Sequence, residues 1–390
     1  MAPHRSTKQN RHSRNAKARR RRVVGLSCTA GAFLAFGLIP LVTAPRAHAD
    51  MEDVIVQPVI DAIAQAVNVM DPGLASSFDP GLDAGSLAAP ALAAAAAANA
   101  SIPLQMFNTT SPLVDLSVSG GPNIPVLVDT GSLGLVVPWY DLGLQGLENL
   151  GSPIGSNIGG YGGNIDFFYL EFPETVNFGG GIVTSPTTVD IPLFAWPASL
   201  SNGSLSGLFN LDNWSFQAYE AQNGADGVLG IGPNAAGPGD SSVITALPGD
   251  LNEGVLVNET GGYLEFGPNP LPALGSVGGA PITNLDVSVN GGGIVPVSAT
   301  IDSGGLYGTI PSSILIGGPP VGQPEPSGTV ITVYESNGQE IYSYTTNATD
   351  LQGPTITSDN QMNTGYIPFK AYPVYISYSP SGVGTTVFDY

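Results

Sequence analysis

Beyond residue 49 the chain has no histidine, no cysteine and no arginine, and its one basic residue is Lys370. His4, His12, His48 and Cys28 lie in the first 49 residues, together with ten of the eleven Lys and Arg. With that leader removed, a Ser-His-Asp triad, a Cys-His pair, a His- or Cys-bound zinc and any disulfide are excluded. Carboxylates, hydroxyls and one amine remain for chemistry. No run of carboxylates with the spacing of a calcium loop occurs, so neither a metal nor a cofactor is expected. From Asp50 onward thirty-one acidic residues face one basic residue, a net charge of −30. Such a surface repels nucleic acid and anionic lipid, and neither is expected as a partner.

Residues 1–49 have the layout of an export signal. A basic stretch ends at Arg19–Arg22, an apolar stretch follows from Val23 to Val42, and Ala47-His48-Ala49 forms a small-x-small cleavage site. The Arg-Arg pair ahead of Val23 suits the twin-arginine route. A secreted or cell-envelope protein is expected, with no membrane span left once the signal is cut. In residues 50–101, Ile55, Val59, Ile63 and Val67 recur every four positions and predict a short helix ending before Asp71-Pro72. An Ala/Gly/Pro-rich linker or propeptide follows.

What is abundant is glycine (52) and proline (34), with runs of Val, Ile, Thr and Tyr between them. That composition predicts an all-β, turn-rich fold. An ordered internal repeat organises it. Val114-Asp115-Leu116-Ser117-Val118-Ser119-Gly120-Gly121 returns as Leu285-Asp286-Val287-Ser288-Val289-Asn290-Gly291-Gly292. Pro125-Val126 returns as Pro296-Val297, and Val128-Asp129-Thr130-Gly131 as Ile301-Asp302-Ser303-Gly304. Each copy predicts a strand, a Gly-Gly turn, a second strand and an Asp-led loop. Two similar lobes are expected, 102–245 and 246–390, related by a pseudo-twofold duplication with a cleft between them.

Two lobes that each present one Asp can bring both to a shared interface. Carboxylates about 3 Å apart cannot both ionise and so share a proton. The ionised member can activate a water as general base, while the protonated one hydrogen-bonds a scissile carbonyl. Asp129 and Asp302 are the candidate catalytic pair. Thr130 and Ser303 can tie the two loops together, and Gly131 and Gly304 let backbone N–H groups approach the carboxylates.

The segment Val126–Pro138, with Asp129-Thr130-Gly131-Ser132, resembles the first active-site motif of pepsin-like aspartic proteases, and Ala299–Pro311 resembles the second. Asp226-Gly227-Val228-Leu229-Gly230 resembles the family's ψ-loop segment, and Gly262–Gly267 the strand that opens the second lobe. Val176–Thr184 and Gly308-Thr309-Ile310-Pro311 carry a narrower likeness to mycobacterial PE-family (PecA-like) aspartic proteases, exported envelope enzymes that trim PE-domain proteins and themselves. This chain has a signal region where that group has a helical PE domain. The resemblance implies an aspartic endopeptidase with a bilobal pepsin-like fold, monomeric, holding a polypeptide substrate in the inter-lobe cleft. It implies a hairpin flap carrying a Tyr, for which Tyr161 is the candidate. It also places the second ψ-loop near Gly365–Phe369.

Three departures stand out. Gly305 occupies a position where the family carries a hydroxyl that bonds the second Asp, whereas Ser132 keeps that hydroxyl on the first side. Val136 stands where the family supports the flap Tyr with a Trp, although Trp139 is near. Asn363 and Thr364 are polar where the family is apolar. They leave open an alternative: a pepsin-like protein that binds polypeptide or cell-surface material without cleaving it. The acid load predicts a low-pH optimum if the chain is active.

Overall fold

Ile124, Val126, Leu127 and Val128 are all buried, because the strand Ile124–Asp129 runs through the interior of a sheet covered on both faces. The structure is a computed structural model. It describes residues 99–390 apart from 202, 205–209, 316 and 348–352. The expected signal, the helix over Ile55–Val67 and the linker up to Ala98 lie outside the described residues. Among the described residues no helix is long and apolar enough to cross a membrane.

The described fold is built mainly of strands in three sheets. A nine-stranded sheet draws on residues 105–231 and holds Ile124–Asp129 between Ser111–Val118 and Gly227–Ile231. A seven-stranded sheet draws on residues 282–363 and holds Val295–Thr300 between Ile282–Val289 and Gln361–Asn363. The third sheet has six strands in the order Ala100–Pro103, Tyr263–Phe266, Gly254–Asn258, Val374–Ser377, Thr385–Asp389 and Ala273–Gly278. Its core is Leu256, Leu264, Phe266, Ile376 and Phe388, all fully buried. The strand Tyr263–Phe266 therefore lies in this third sheet, pairing with Ala100–Pro103 in a register that sets Ile102 opposite Leu264. Phe178 packs on Phe266 with ring centroids 5.0 Å apart and joins the third sheet to the nine-stranded one.

The two predicted turns occur, shifted by one residue. Gly121 N–H donates to Val118 O over 2.9 Å, and Gly292 N–H to Val289 O over 2.9 Å. The central residues are thus Ser119-Gly120 and Asn290-Gly291, all with positive φ between 53° and 75°. A turn with two left-handed central residues is eased by Ser-Gly and Asn-Gly, because the glycine carries no Cβ to clash there.

Candidate active site

Asp129 ends the strand Ile124–Asp129, and the chain then loops through Thr130, Gly131 and Ser132 before re-entering the sheet as Leu133–Val136. Gly227–Ile231 passes between these two strands. It runs parallel to the first, with Gly230 opposite Asp129, and antiparallel to the second. A side chain at Gly230 would meet the Leu133 backbone at 2.7 Å, and one at Gly227 would meet Val136 O at 2.6 Å. Only glycine lets the inner strand, with Val228 and Leu229 buried, run this close to the Asp129 loop.

The same three-strand arrangement recurs around Asp302. Val295–Thr300 leads into Ile301-Asp302, Gln361–Asn363 runs parallel beside it, and Thr309–Pro311 lies antiparallel on the far side. The inner strand precedes the placement expected at Gly365–Phe369. Residues Ile367–Ala371 form a short helix instead. Pro368 explains this, since it has no N–H to give a sheet ladder and is accommodated in the first turn of a helix.

The two loops interlock. Thr130 N–H donates to Ser303 Oγ (3.0 Å) and Ser303 N–H to Thr130 Oγ1 (2.9 Å). Thr130 Oγ1 donates to Ile301 O (2.7 Å) and Ser303 Oγ to Val128 O (2.7 Å). Both side chains are fully buried. Each glycine backs onto the opposite carboxyl: a Cβ at Gly131 would lie 2.5 Å from Asp302 Cγ, and one at Gly304 would lie 2.8 Å from Asp129 Oδ1. Gly131 N–H donates to Asp129 Oδ1 (2.8 Å) and Gly304 N–H to Asp302 Oδ1 (3.0 Å). The two carboxyls lie within hydrogen-bonding reach of each other. Burial first, then the charge of Asp129, hold the Asp302 carboxyl well above the usual carboxylate range, opposed by the hydrogen bonds from Asn363 and Gly304. The pair titrates as a unit and keeps one proton well above the pH at which a free carboxylic acid ionises.

Residues 100–386 match the family described as the PE-PGRS C-terminal aspartyl peptidase-like domain. The chain belongs to that family. Its curated relatives include PE cleavage protein A of Mycobacterium tuberculosis, strain H37Rv, 47% identical over 295 residues. That alignment covers 74% of this chain and 51% of the relative. PE cleavage protein A of Mycobacterium marinum is 48% identical over 294 residues, covering 74% of this chain and 52% of the relative. The chain therefore spans about half the length of the curated relatives it matches. Among solved structures, an aspartic proteinase from Irpex lacteus superposes with a TM-score of 0.47 at 14% identity, covering 75% of this chain and 97% of that one.

In this aspartyl peptidase-like domain the candidate flap is a hairpin of Gly155–Tyr161 and Ile165–Glu174. Asn164 N–H closes the turn onto Tyr161 O at 3.0 Å, with Gly162 and Gly163 both at positive φ. Tyr161 and both aspartates line one cleft of about 740 Å³, along with Trp196, Asp166 and Asp240. The Tyr161 ring packs on Phe167 (5.4 Å) and Phe216 (6.3 Å), against a buried cluster that includes Val136. Trp139 faces Tyr140 at 5.6 Å. An aliphatic and aromatic wall thus supports Tyr161. Ser132 Oγ and Tyr161 OH are buried without a hydrogen-bond partner among the described residues. Lys370 places its ammonium over the Tyr366 ring, 5.7 Å from the centroid.

Several buried acids of the aspartyl peptidase-like domain escaped sequence reasoning, Glu220 and Asp190 among them. Glu220, at the end of the helix Phe216–Glu220, is 1% exposed. Burial pushes it up to about 8, with the Asp129 charge adding and a hydrogen bond from Asn223 opposing. Asp190, also 1% exposed, is pushed up to about 8 by burial, with Glu171 and Asp240 adding. No signal in the sequence marks either one. Glu220 follows Gln217-Ala218-Tyr219 and reads as a surface residue, and Asp190 falls within an otherwise ordinary strand.

The interlock is also a stability element. Thr130→Val leaves Ser303 N–H and Ile301 O unpaired in a dry interior, a penalty of about 1–3 kcal/mol per group. Ser303→Ala strands Val128 O and Thr130 N–H in the same way, whereas Thr130→Ser keeps the hydroxyl and most of the stability. Urea unfolding of the three variants measures the difference; equal midpoints for Thr130→Val and Thr130→Ser contradict it.

Proposed function

We propose that the chain is an exported aspartic endopeptidase that cuts polypeptides in the cleft between Asp129 and Asp302. The observation that carries this reading is the crossed pair of carboxyls, each held by the backbone of its own loop and backed by the glycine of the other. One proton shared by two buried carboxyls supplies a base and an acid at once. The ionised carboxylate takes a proton from a bound water as the water attacks the scissile carbonyl. The protonated partner hydrogen-bonds the carbonyl oxygen and then helps deliver a proton to the leaving nitrogen. No bond to the enzyme forms, in keeping with the lack of His, Cys and Arg after residue 49.

An extended peptide fits a cleft walled by a hairpin, where backbone hydrogen bonds give affinity and side pockets give selectivity. Asp166 and Asp240 line that cleft, and Lys370 is the only cation after residue 49. The reading therefore includes a preference for substrates with a Lys or Arg flanking the cut. The relatives' name, PE cleavage protein A, supports exported or cell-envelope polypeptides as substrates. The leader of residues 1–49 supports export, and the chain is taken to act as a monomer without metal or cofactor.

The test is cleavage of a diverse peptide pool by residues 50–390 from pH 3 to 7, with Asp129→Ala, Asp302→Ala and a statine-type inhibitor alongside. Cleavage that is strongest at the acid end, enriched in sites flanked by basic residues, and lost in both variants is the expected result. Folded protein that cleaves nothing at any pH overturns the reading in favour of a polypeptide-binding role.

A further inference from the structure

We infer that Asn363 is the positioning residue for Asp302, supplying to Oδ2 the hydrogen bond that no side chain at position 305 can give. This rests on the peptidase reading above. Asn363 Nδ2 donates to Asp302 Oδ2 over 2.5 Å. The amide orientation is fixed independently, because Gly365 N–H can only donate and it points at Asn363 Oδ1 over 2.8 Å. The oxygen is thereby assigned to the Gly365 side and the NH₂ to the carboxyl. The Asn363 backbone N–H is held in turn by Thr309 Oγ1 at 3.2 Å, and Thr364 Oγ1 accepts from Asp302 N–H at 3.2 Å. Asn363 ends the strand Gln361–Asn363, so its side chain is delivered by the sheet rather than by a loose loop.

Gly305 and Asn363 form one device. A Cβ at Gly305 would lie 2.4 Å from Asn363 Oδ1 and 2.7 Å from Asp302 Oδ2. The amide fills the space a side chain at 305 would need, so a hydroxyl at 305 and an amide at 363 exclude each other. The two differ chemically. A hydroxyl can turn and accept, whereas an amide N–H only donates. Both oxygens of Asp302 thus accept an N–H, Oδ1 from Gly304 and Oδ2 from Asn363, and both bonds favour its carboxylate form. The titratable groups that reach the pair are its own two members, Tyr219 and Glu220 from the helix Phe216–Glu220, and Tyr161 from the hairpin. All of these are acids. Asn363 and the Gly304 N–H oppose them by stabilising the carboxylate form of Asp302.

The experiment compares wild type, Asn363→Ala, Gly305→Ser, the double variant and the near-isosteric Asn363→Asp. Removing the donor makes the pair harder to ionise. In Asn363→Ala the acid limb of kcat/KM therefore moves up by about one to two pH units, with kcat lowered and KM little changed. Gly305→Ser alone loses activity through the clash. In the double variant the 2.4 Å approach to the amide is gone and a small shift of the Asp302 carboxyl relieves the remaining 2.7 Å approach, so the serine hydroxyl reaches Oδ2 and the acid limb returns with part of kcat. Asn363→Asp is active only where the new carboxyl is protonated and can donate. Thermal melts establish that each protein is folded. An infrared titration of the carboxyl stretch, referenced to Asp302→Asn, reports the same shift without turnover. Wild type that cleaves nothing removes the peptidase reading and leaves the infrared shift to judge Asn363. An unmoved acid limb and unmoved infrared titration in Asn363→Ala, or a double variant no better than either single one, overturns the inference.

Discussion

Asp302→Asn and Asp129→Asn each lower kcat/KM by on the order of 10⁴-fold while leaving the protein folded. An amide in either position can neither take the proton from water nor pass one to the leaving nitrogen, and general acid-base steps are worth up to that much. Stability should hold, because the pair shares one proton and an amide NH₂ can give the remaining carboxylate the hydrogen bond that the protonated partner gave. Asp129 is 8% exposed, so that exchange of donors takes place in a nearly dry site. The discriminating comparison sets kcat/KM beside the melting temperature for the two variants. A fall in activity that tracked a fall in melting temperature would assign the loss to unfolding instead of chemistry.

The melting temperature falls by about 10 °C or more between pH 4 and pH 8. Asp190 and Glu220 are both pushed up to about 8 by burial, against about 4 for exposed carboxyls in the unfolded chain. The folded protein thus binds more protons than the unfolded one across that window, and stability declines as pH rises through it. The contribution of each acid is fully present below about pH 4 and is lost as pH passes about 8, on the order of a few kcal/mol apiece. Asp389, raised to about 6 by burial against an opposing hydrogen bond from Asn269, acts in the same direction. Thermal melts across the range test this, and Asp190→Asn with Glu220→Gln should flatten the curve. A melting temperature that is level or rises toward pH 8 sinks the account. The folded state, like the proposed chemistry, is built for acid.

Much of this site was legible in the sequence because it depends on order and on small residues. The repeated Asp-hydroxyl-Gly frame requires two matching loops, and a Gly-Val-Leu-Gly segment can only be a strand squeezed between others. The turns were legible too, but off by one residue, since a Gly-Gly pair hides which glycine is central. What could not be read was contact between residues remote in sequence. Gly305 looked like a missing hydroxyl and Asn363 like a misplaced polar residue. Only the parallel pairing of Gln361–Asn363 with Val295–Thr300 shows that each explains the other. The buried acids were hidden for a related reason: burial depends on what packs over a carboxyl, and composition says nothing of that. Tyr161 could be placed on a hairpin from its flanking glycines, whereas its support by Val136, Phe167 and Phe216 comes from three separate segments.

The six-stranded sheet has a consequence for how the molecule comes together. Among the described residues its strand Ala100–Pro103 pairs only with Tyr263–Phe266, and Thr385–Asp389 fills an interior place between Val374–Ser377 and Ala273–Gly278. Hairpins within the other sheets can close in microseconds, but this sheet joins partners from 107 to 166 residues apart. Such non-local topology slows folding.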